Sequence, residues 1–197
     1  MMAAPQQPLL RGELRLGEPL RRYNTWRVGG PAKQLYLPAD ASDLAMFLQT
    51  LKADEPLLWL GLGSNLLIRD AGFRGTVIAL QGRLDGLQID GDRAHVEAGV
   101  ACAKVARECA RAGLTGAAFL AGIPGTMGGA LAMNAGAFGG ETWPIVEGVT
   151  TIDRAGVVRE RPPADFVVAY RHVERPAEEW FIACTLCLGR GDVEQIG

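Results

Sequence analysis

Apolar and polar positions alternate along this chain in blocks of two different periods. Leu44, Phe47, Leu48 and Leu51 are spaced for one face of a helix, and Asp40 and Ser42 stand ahead of them as N-cap candidates. Cys102, Val105, Ala106 and Cys109 follow the same i, i+3, i+4, i+7 rule, with Gly113 placed to end that helix. Short apolar runs at Lys33–Leu37, Leu57–Leu60 and Thr76–Leu80 predict buried strands, so residues 33–60 read as a β–α–β unit. Leu66–Ile68 reads as a further strand. Leu87–Ile89 and Ala94–Ala98 predict a strand pair joined by a turn at Asp90–Arg93. Val146–Ile152 and Val157–Glu160 flank a second such turn at Asp153–Gly156. Phe166–Tyr170 and Trp180–Leu188 predict a third pair after the break at Pro162–Pro163.

Between the helix at 102–109 and the strand at 146 the periodicity fails. Gly113–Gly140 carries no charged residue and is dense in glycine. Glycine loses more backbone entropy on folding than any other residue. Its concentration here predicts a backbone wall lying against a large flat ligand, or a glycine-rich packing segment. The stretch is not a membrane span, because Asn134 and the Ile123–Pro124–Gly125 turn interrupt it and large apolar residues are sparse. The pattern as a whole predicts an α+β protein in two lobes. Residues 1–20 read as a flexible lead-in, 21–82 as the first lobe, 83–190 as the second and 191–197 as the start of a linker.

Composition narrows the function. The 197 residues are 48% hydrophobic and 21% charged, with formal net charge −2, which gives no electrostatic basis for nucleic-acid binding. Arg21–Arg22 and Arg159–Arg161 are local basic groups, read as solvated faces or single anion contacts. The N-terminus has neither the basic nor the apolar region of a secretory signal. Cys184 and Cys187 spell CxxC, but on a strand residues three apart face opposite sides, and no second pair or nearby His completes a zinc site. With Cys102 and Cys109 they read as structural thiols of a reducing cytoplasm.

Two loops carry candidate chemistry. Gly61, Gly63, Ser64 and Asn65 follow a strand and can present successive N–H groups and a hydroxyl to a pyrophosphate. The loop is not the Rossmann fingerprint, since Leu66 stands where a third glycine belongs; a plain hairpin turn is the alternative. Gly122, Pro124, Gly125, Gly128 and Gly129 form the second loop, opening a short helix over 126–133 whose N-terminal amides would face an anion. Asn134 and Gly136 can add amide and backbone contacts. Tyr170–Arg171 ends a strand, and such an Arg can hold a carboxylate or stabilise an enolate, or else form a surface ion pair. His95 and His172 have no partner in sequence. Trp26, Trp59, Trp143 and Trp180 read as packing residues.

The segments NTWRVGGPA, LGLGSNLLIRD, AGIPGTMGGALAMNAGAFG and AYR, in this order and spacing, resemble the UDP-N-acetylenolpyruvoylglucosamine reductase family over about Tyr23–Leu188. The resemblance implies a two-lobed FAD-binding fold of the vanillyl-alcohol-oxidase (PCMH) type, with FAD as cofactor, NADPH as hydride donor and a UDP-sugar as substrate. It implies that Gly61, Gly63, Ser64 and Asn65 line the pyrophosphate, and that Gly122, Pro124, Gly125, Gly128, Gly129, Asn134 and Gly136 run along the rest of FAD. Arg171 matches the family's active-site Arg and Tyr170 its neighbour. The implied reaction adds hydride to the enolpyruvyl β-carbon and a proton to the adjacent carbon, in peptidoglycan precursor synthesis. Two departures stand out. His172–Val173 follow the Tyr-Arg pair where the family has a small residue and Ser. The family's Gly-Ser-x-Phe motif, whose Ser donates the proton, and its late Glu do not occur before Gly197. The expectation is therefore the FAD-binding portion of such an enzyme, the alternative an FAD-binding module without turnover.

Overall fold

The structure, a computed structural model, describes residues 9–191. The expected linker, apart from Gly191, and the first eight residues of the lead-in lie outside them. In the first lobe, β1 (Glu13–Leu16), β2 (Ala32–Leu37), β3 (Leu57–Leu60) and β4 (Phe73–Ala79) form a sheet of order β1-β2-β4-β3. β2 and β3 each pair with β4 in parallel, and β1 pairs antiparallel with β2. The helix α1 (Ala41–Gln49) crosses between β2 and β3, leaving room for β4 to insert between them. A lead-in that is flexible throughout is not what is found: Glu13–Leu16 is an ordered edge strand. Its Leu14 and Leu16 are exposed, so ladder hydrogen bonds rather than apolar burial hold it, and no hydrophobic pattern announces it.

In the second lobe, β5 (Leu87–Asp90), β6 (Arg93–Glu97) and α2 (Cys102–Arg111) precede the two-residue strand β7 (Leu114–Thr115). The helix α3 (Met127–Met133) leads into a small hairpin of β8 (Gly136–Ala137) and β9 (Gly140–Glu141). Then come β10 (Val146–Asp153), β11 (Val158–Arg161), β12 (Val167–Ala169), β13 (His172–Glu174), β14 (Glu179–Cys187) and β15 (Gly189–Arg190). The main sheet has the order β11-β10-β14-β6-β5, all antiparallel. The expected pairing of 166–170 with 180–188 does not form. β14 lies between β10 and β6, while β12 folds onto β13 in a separate hairpin. Val167 and Val168 are exposed, whereas β14 is buried along most of its length, and buried strands compete best for the centre of a sheet.

The two lobes share a core. Tyr36, Leu44, Phe47 and Ile78 of the first lobe pack in one cluster with Ala98, Ile152 and Ile182 of the second. Trp59 of β3 stacks on Trp180 of β14 with centroids 5.1 Å apart and planes at 19°. The CxxC cysteines point to opposite faces, Cys184 buried and Cys187 exposed. Burial pushes the Cys102 and Cys184 thiols up to about 12, so both are neutral apolar packing groups. No helix among the described residues is long and apolar enough to cross a membrane.

One buried carboxylate ties the N-terminal segment to the first lobe. Asp43, in the first turn of α1, accepts from Tyr36 Oη (2.6 Å), Arg11 N (2.7 Å) and Ala39 N (2.9 Å). Asp40 caps the same helix by accepting from Asp43 N at 2.9 Å. Burial opposes ionisation of Asp43, but these donors outweigh it and hold the carboxyl below the usual aspartate range. Its stabilisation is fully present above the unfolded value of about 3.9 and is lost as pH falls through the lower folded value. Asp43→Asn should lower the unfolding free energy by about 2 kcal/mol at neutral pH. The difference from wild type, measured by urea denaturation, should shrink on acidification; a constant difference would mean that the charge is not what holds the turn.

Candidate functional site

The first glycine loop leaves β3 at Leu60 and is fastened from below. Gly63 has φ +65°, and a Cβ there would run into the Tyr23 carbonyl and Asn24. Its own carbonyl accepts from Thr25 N at 3.2 Å. Buried Asn24 stiffens that support by donating to the carbonyls of Leu20 and Val28, both at 2.8 Å. Among the described residues the N–H groups of Leu62, Gly63, Ser64 and Asn65 donate to nothing. Unengaged backbone donors in succession are the equipment for holding an anion. Leu66–Ile68 is not the expected strand: the chain there is irregular, with Ile68 buried and Leu67 exposed.

The second loop approaches from the other lobe. Gly125 N closes a tight turn onto the Ile123 carbonyl at 2.9 Å across Pro124. Thr126 is buried at the N-cap of α3. The helix does not offer its first amides to an anion as expected. Met127 N and Gly128 N donate instead to the carbonyls of Val100 and Ala98, each at 2.9 Å. Those bonds dock α3 on the chain that leaves β6. Gly128 is needed for the docking, since a Cβ there would stand 2.9 Å from that of Ala98. A Cβ on Gly122 would likewise crowd the Phe138 ring, at 2.5 Å, and Ala137 Cβ, at 2.8 Å. Gly129 differs: a Cβ on it would meet only Thr126 Oγ1, at 4.0 Å, and would otherwise enter open space.

The loops face each other across a cleft. A Cβ on Gly61 would collide with Thr126 Oγ1, and Ser64 Oγ lies 3.9 Å from where a Gly125 Cβ would stand. One section of the cleft, about 320 Å³, is lined by Leu57, Trp59, Leu80, Trp180 and Phe181, with Arg175 at its margin. It merges at Gly61, Thr126 and Gly129 with a section of about 220 Å³ lined by Gly63, Ser64, Asn65 and Gly125. The cleft thus passes from an aromatic end to a backbone-lined end.

Beyond Met133 lies a third hollow of about 220 Å³, lined by Asn134, Gly136, Phe138, Glu141, Tyr170 and Arg171. Tyr170–Arg171 forms the two-residue turn between β12 and β13 rather than a strand end. Arg171 has φ +54°, a left-handed conformation that non-glycine residues adopt at a cost and that clusters at functional sites. Its Nη2 donates to the Gly136 carbonyl at 3.3 Å, and it makes no ion pair among the described residues. The Tyr170 ring is 80% exposed beside it. Asn134 is 3% exposed in the left-handed cap of α3, and its amide is engaged within the protein. Nδ2 donates to Glu141 Oε2 (2.8 Å) and the Ala169 carbonyl (3.2 Å), and Oδ1 accepts from Trp143 N (3.1 Å). Asn134 therefore positions the hairpin that carries Arg171. Gly136 is fixed by packing, close against the carbonyl of Gly140.

Facing glycine loops across a cleft between two α+β lobes are the arrangement of a domain that holds a phosphate-bearing ligand. The model of the FAD binding domain family matches residues 32–160. The chain belongs to that family, and the relatives it resembles most strongly among those compared are UDP-N-acetylenolpyruvoylglucosamine reductases. It is 59% identical over 193 residues to the reductase of Alkalilimnicola ehrlichii, covering 98% of this chain and 65% of the relative. The reductase of Legionella pneumophila strain Corby is 59% identical over 184 residues, which is 93% of this chain and 60% of that protein. The crystal structure of the Thermus caldophilus enzyme superposes with TM-score 0.80 at 32% identity over 94% of this chain and 65% of its own. The 6-hydroxy-D-nicotine oxidase of Arthrobacter nicotinovorans, 16% identical with TM-score 0.64 over 92% of this chain and 43% of its own, shares the fold. The chain thus spans 60–65% of the length of these reductases, and its fold is the PCMH-type FAD-binding fold.

The residues present fit FAD. The unengaged amides at 62–65 suit a pyrophosphate, Gly125 and Gly129 leave backbone open to the cleft, and the one unpartnered buried side-chain polar atom among the described residues, Trp59 Nε1, belongs to a cleft residue. Sequence reasoning missed Trp59, Thr126, Arg175, Trp180 and Glu141. Trp59, which lines the cleft, was the one with a usable signal, its place two residues before Gly61. Gly129→Ala separates cleft from core. It should stabilise the ligand-free protein by up to about 1 kcal/mol through helix propensity. It should also weaken FAD binding about 10- to 100-fold by intruding on the ligand. Thermal melts and flavin-fluorescence titrations check the two signs; unchanged affinity would place the ligand elsewhere.

Proposed function

We propose that this chain is the FAD-carrying part of an enzyme that reduces UDP-N-acetylglucosamine enolpyruvate to UDP-N-acetylmuramate with NADPH, in the cytoplasm, for peptidoglycan precursor synthesis. The observation that carries the reading is Arg171: a guanidinium without an acidic partner among the described residues, held in a tight turn over a glycine-lined hollow. The names and 59% identity of the relatives support the substrate.

FAD, when bound, supplies the two-electron chemistry that the protein's side chains lack. The work of this chain is binding, orientation and electrostatics. The amides of residues 62–65 and the Ser64 hydroxyl hold the pyrophosphate; Gly61 lets the two loops approach, Gly128 docks α3 beside them, Gly122 and Pro124 shape the second loop, and Gly125 and Gly129 leave its backbone open to the ligand. Arg171 pairs with the enolpyruvyl carboxylate. It stabilises the negative charge that develops on that side as hydride adds to the β-carbon, before the adjacent carbon is protonated. A fixed cation does this best when it need not reorganise, and the Asn134–Ala169 bond supplies the rigidity. Tyr170 flanks the same position as a flat wall.

The test is a titration of the FAD-loaded protein with the enolpyruvyl sugar nucleotide, read from perturbation of the flavin spectrum. Arg171→Ala should raise the dissociation constant of the sugar nucleotide about 10- to 100-fold, the loss of a charged hydrogen bond. It should leave the FAD dissociation constant within about threefold, because the pyrophosphate amides are untouched. Equal loss of both affinities would make Arg171 a structural residue. No spectral response to the sugar nucleotide in the unmutated protein would overturn the substrate.

A further inference from the structure

Arg175 is the one charged residue, among those described, that lines either of the two merged sections of the cleft. It borders the section that meets the loop amides at Gly61, Thr126 and Gly129. Arg171, by contrast, lines the separate hollow beside Asn134. Arg175 stands between the end of β13 and Pro176, and a residue ahead of proline is held to extended backbone. Glu179 N donates to the Pro176 carbonyl at 3.3 Å and tightens the same turn. The backbone therefore fixes the root of this side chain.

What the guanidinium lacks is an anion. Among the described residues Arg175 makes no ion pair, and its acidic neighbours are turned to other groups. Glu178 pairs with Arg154 at 2.8 Å, and Glu174 Oε1 stands 3.7 Å from His172 Nε2. The residue keeps contact with solvent at the cleft margin, yet protein crowds it enough that burial lowers its pKa, with no charge or hydrogen bond set against that cost. A partly desolvated cation without a countercharge is satisfied when a ligand brings one.

The next step rests on FAD being the occupant. At neutral pH oxidised FAD carries negative charge on its two phosphates alone, while its flavin, ribityl, ribose and adenine are neutral. One cation on the cleft and one anionic region on the ligand leave a single ionic pairing. We propose that Arg175 donates a charge-assisted hydrogen bond to a pyrophosphate oxygen of FAD. The two lobes then share the pyrophosphate, the first through the amides at 62–65 and the second through a guanidinium. Arg175 is a positioning residue for the cofactor, and its planar fork of donors suits a phosphate.

Flavin-fluorescence titrations of Arg175→Gln and Arg175→Lys against wild type test this. Arg175→Gln should raise the FAD dissociation constant about 5- to 20-fold at low salt, the loss of one charged hydrogen bond at a partly wet site. The gap should narrow at high salt, because screening weakens the wild-type pair and leaves glutamine untouched. Arg175→Lys keeps the cation and should stay within about threefold of wild type. The phosphorus NMR resonances of bound FAD should move in Arg175→Gln while the flavin absorption band stays in place. Unchanged FAD affinity, unchanged phosphorus resonances, a loss equal at low and high salt, or a lysine variant as weak as glutamine each overturns the proposal. Should the glutamine variant fold poorly, wild type alone gives a second test: its FAD affinity should fall with added salt, and salt-independent binding overturns the proposal as well. Failure of the unmutated protein to bind FAD at all would instead remove the cofactor reading on which this one stands.

Discussion

The structure depends on how closely two backbones approach at Gly61 and Thr126. The loop after β3 belongs to one sheet, and the start of α3 belongs to the layer packed on the other. A side chain at 61 would drive them apart, because Thr126 Oγ1 occupies the place of its Cβ. The Met127–Val100 and Gly128–Ala98 backbone bonds fix α3 from the far side, and a β-carbon on Gly128 would crowd Ala98. Glycine weakens a helix interior by close to 1 kcal/mol, so two glycines in a seven-residue helix are tolerated for what they let approach. The shared core of Tyr36, Phe47, Ile78, Ala98 and Ile182 holds the lobes at that spacing.

Electrostatics follow the same plan. The wall from Gly113 to Gly140 contributes no ionic groups, so the cleft's polarity comes from oriented amides. Amides that need not reorganise can hold a pyrophosphate without the desolvation that buried lysines or arginines would incur. Positive charge is kept to the ends, at Arg171 and Arg175. Elsewhere the arginines are mostly engaged in surface pairs, as Arg161 with Asp165 and Glu179 and Arg93 with Glu147. The Arg159–Arg161 group is therefore an internal ion-pair network rather than an anion site.

Much of the fold was legible because it obeys local rules. The helices at 41–49 and 102–111 follow their apolar stripes and caps, and the turns at Asp90–Arg93 and Asp153–Gly156 follow their turn residues. What was not legible depended on competition between distant segments. Nothing local tells β12 to pair with β13 rather than β14, or β4 to enter between β2 and β3. The edge strand at Glu13–Leu16 has no buried face to betray it. In the site, glycine density and the Gly61–Asn65 loop pointed to the ligand wall, but the role of each amide was invisible. Asn134 looked like a ligand group and is engaged inside the protein, and the first amides of α3 serve packing. Trp59 looked like a packing residue and carries the unpartnered donor. Such exchanges are decided by which hydrogen bonds the folded backbone has already used, and sequence spacing does not record them.

The central claim is that the facing glycine loops enclose one FAD. Isothermal titration of the flavin-free protein with FAD, accompanied by flavin fluorescence, tests it most directly. The account predicts saturable binding of one FAD per chain with altered flavin emission, and weaker binding of FMN and of ADP than of the whole dinucleotide. Absence of binding, or equal affinity for FMN and FAD, would contradict it.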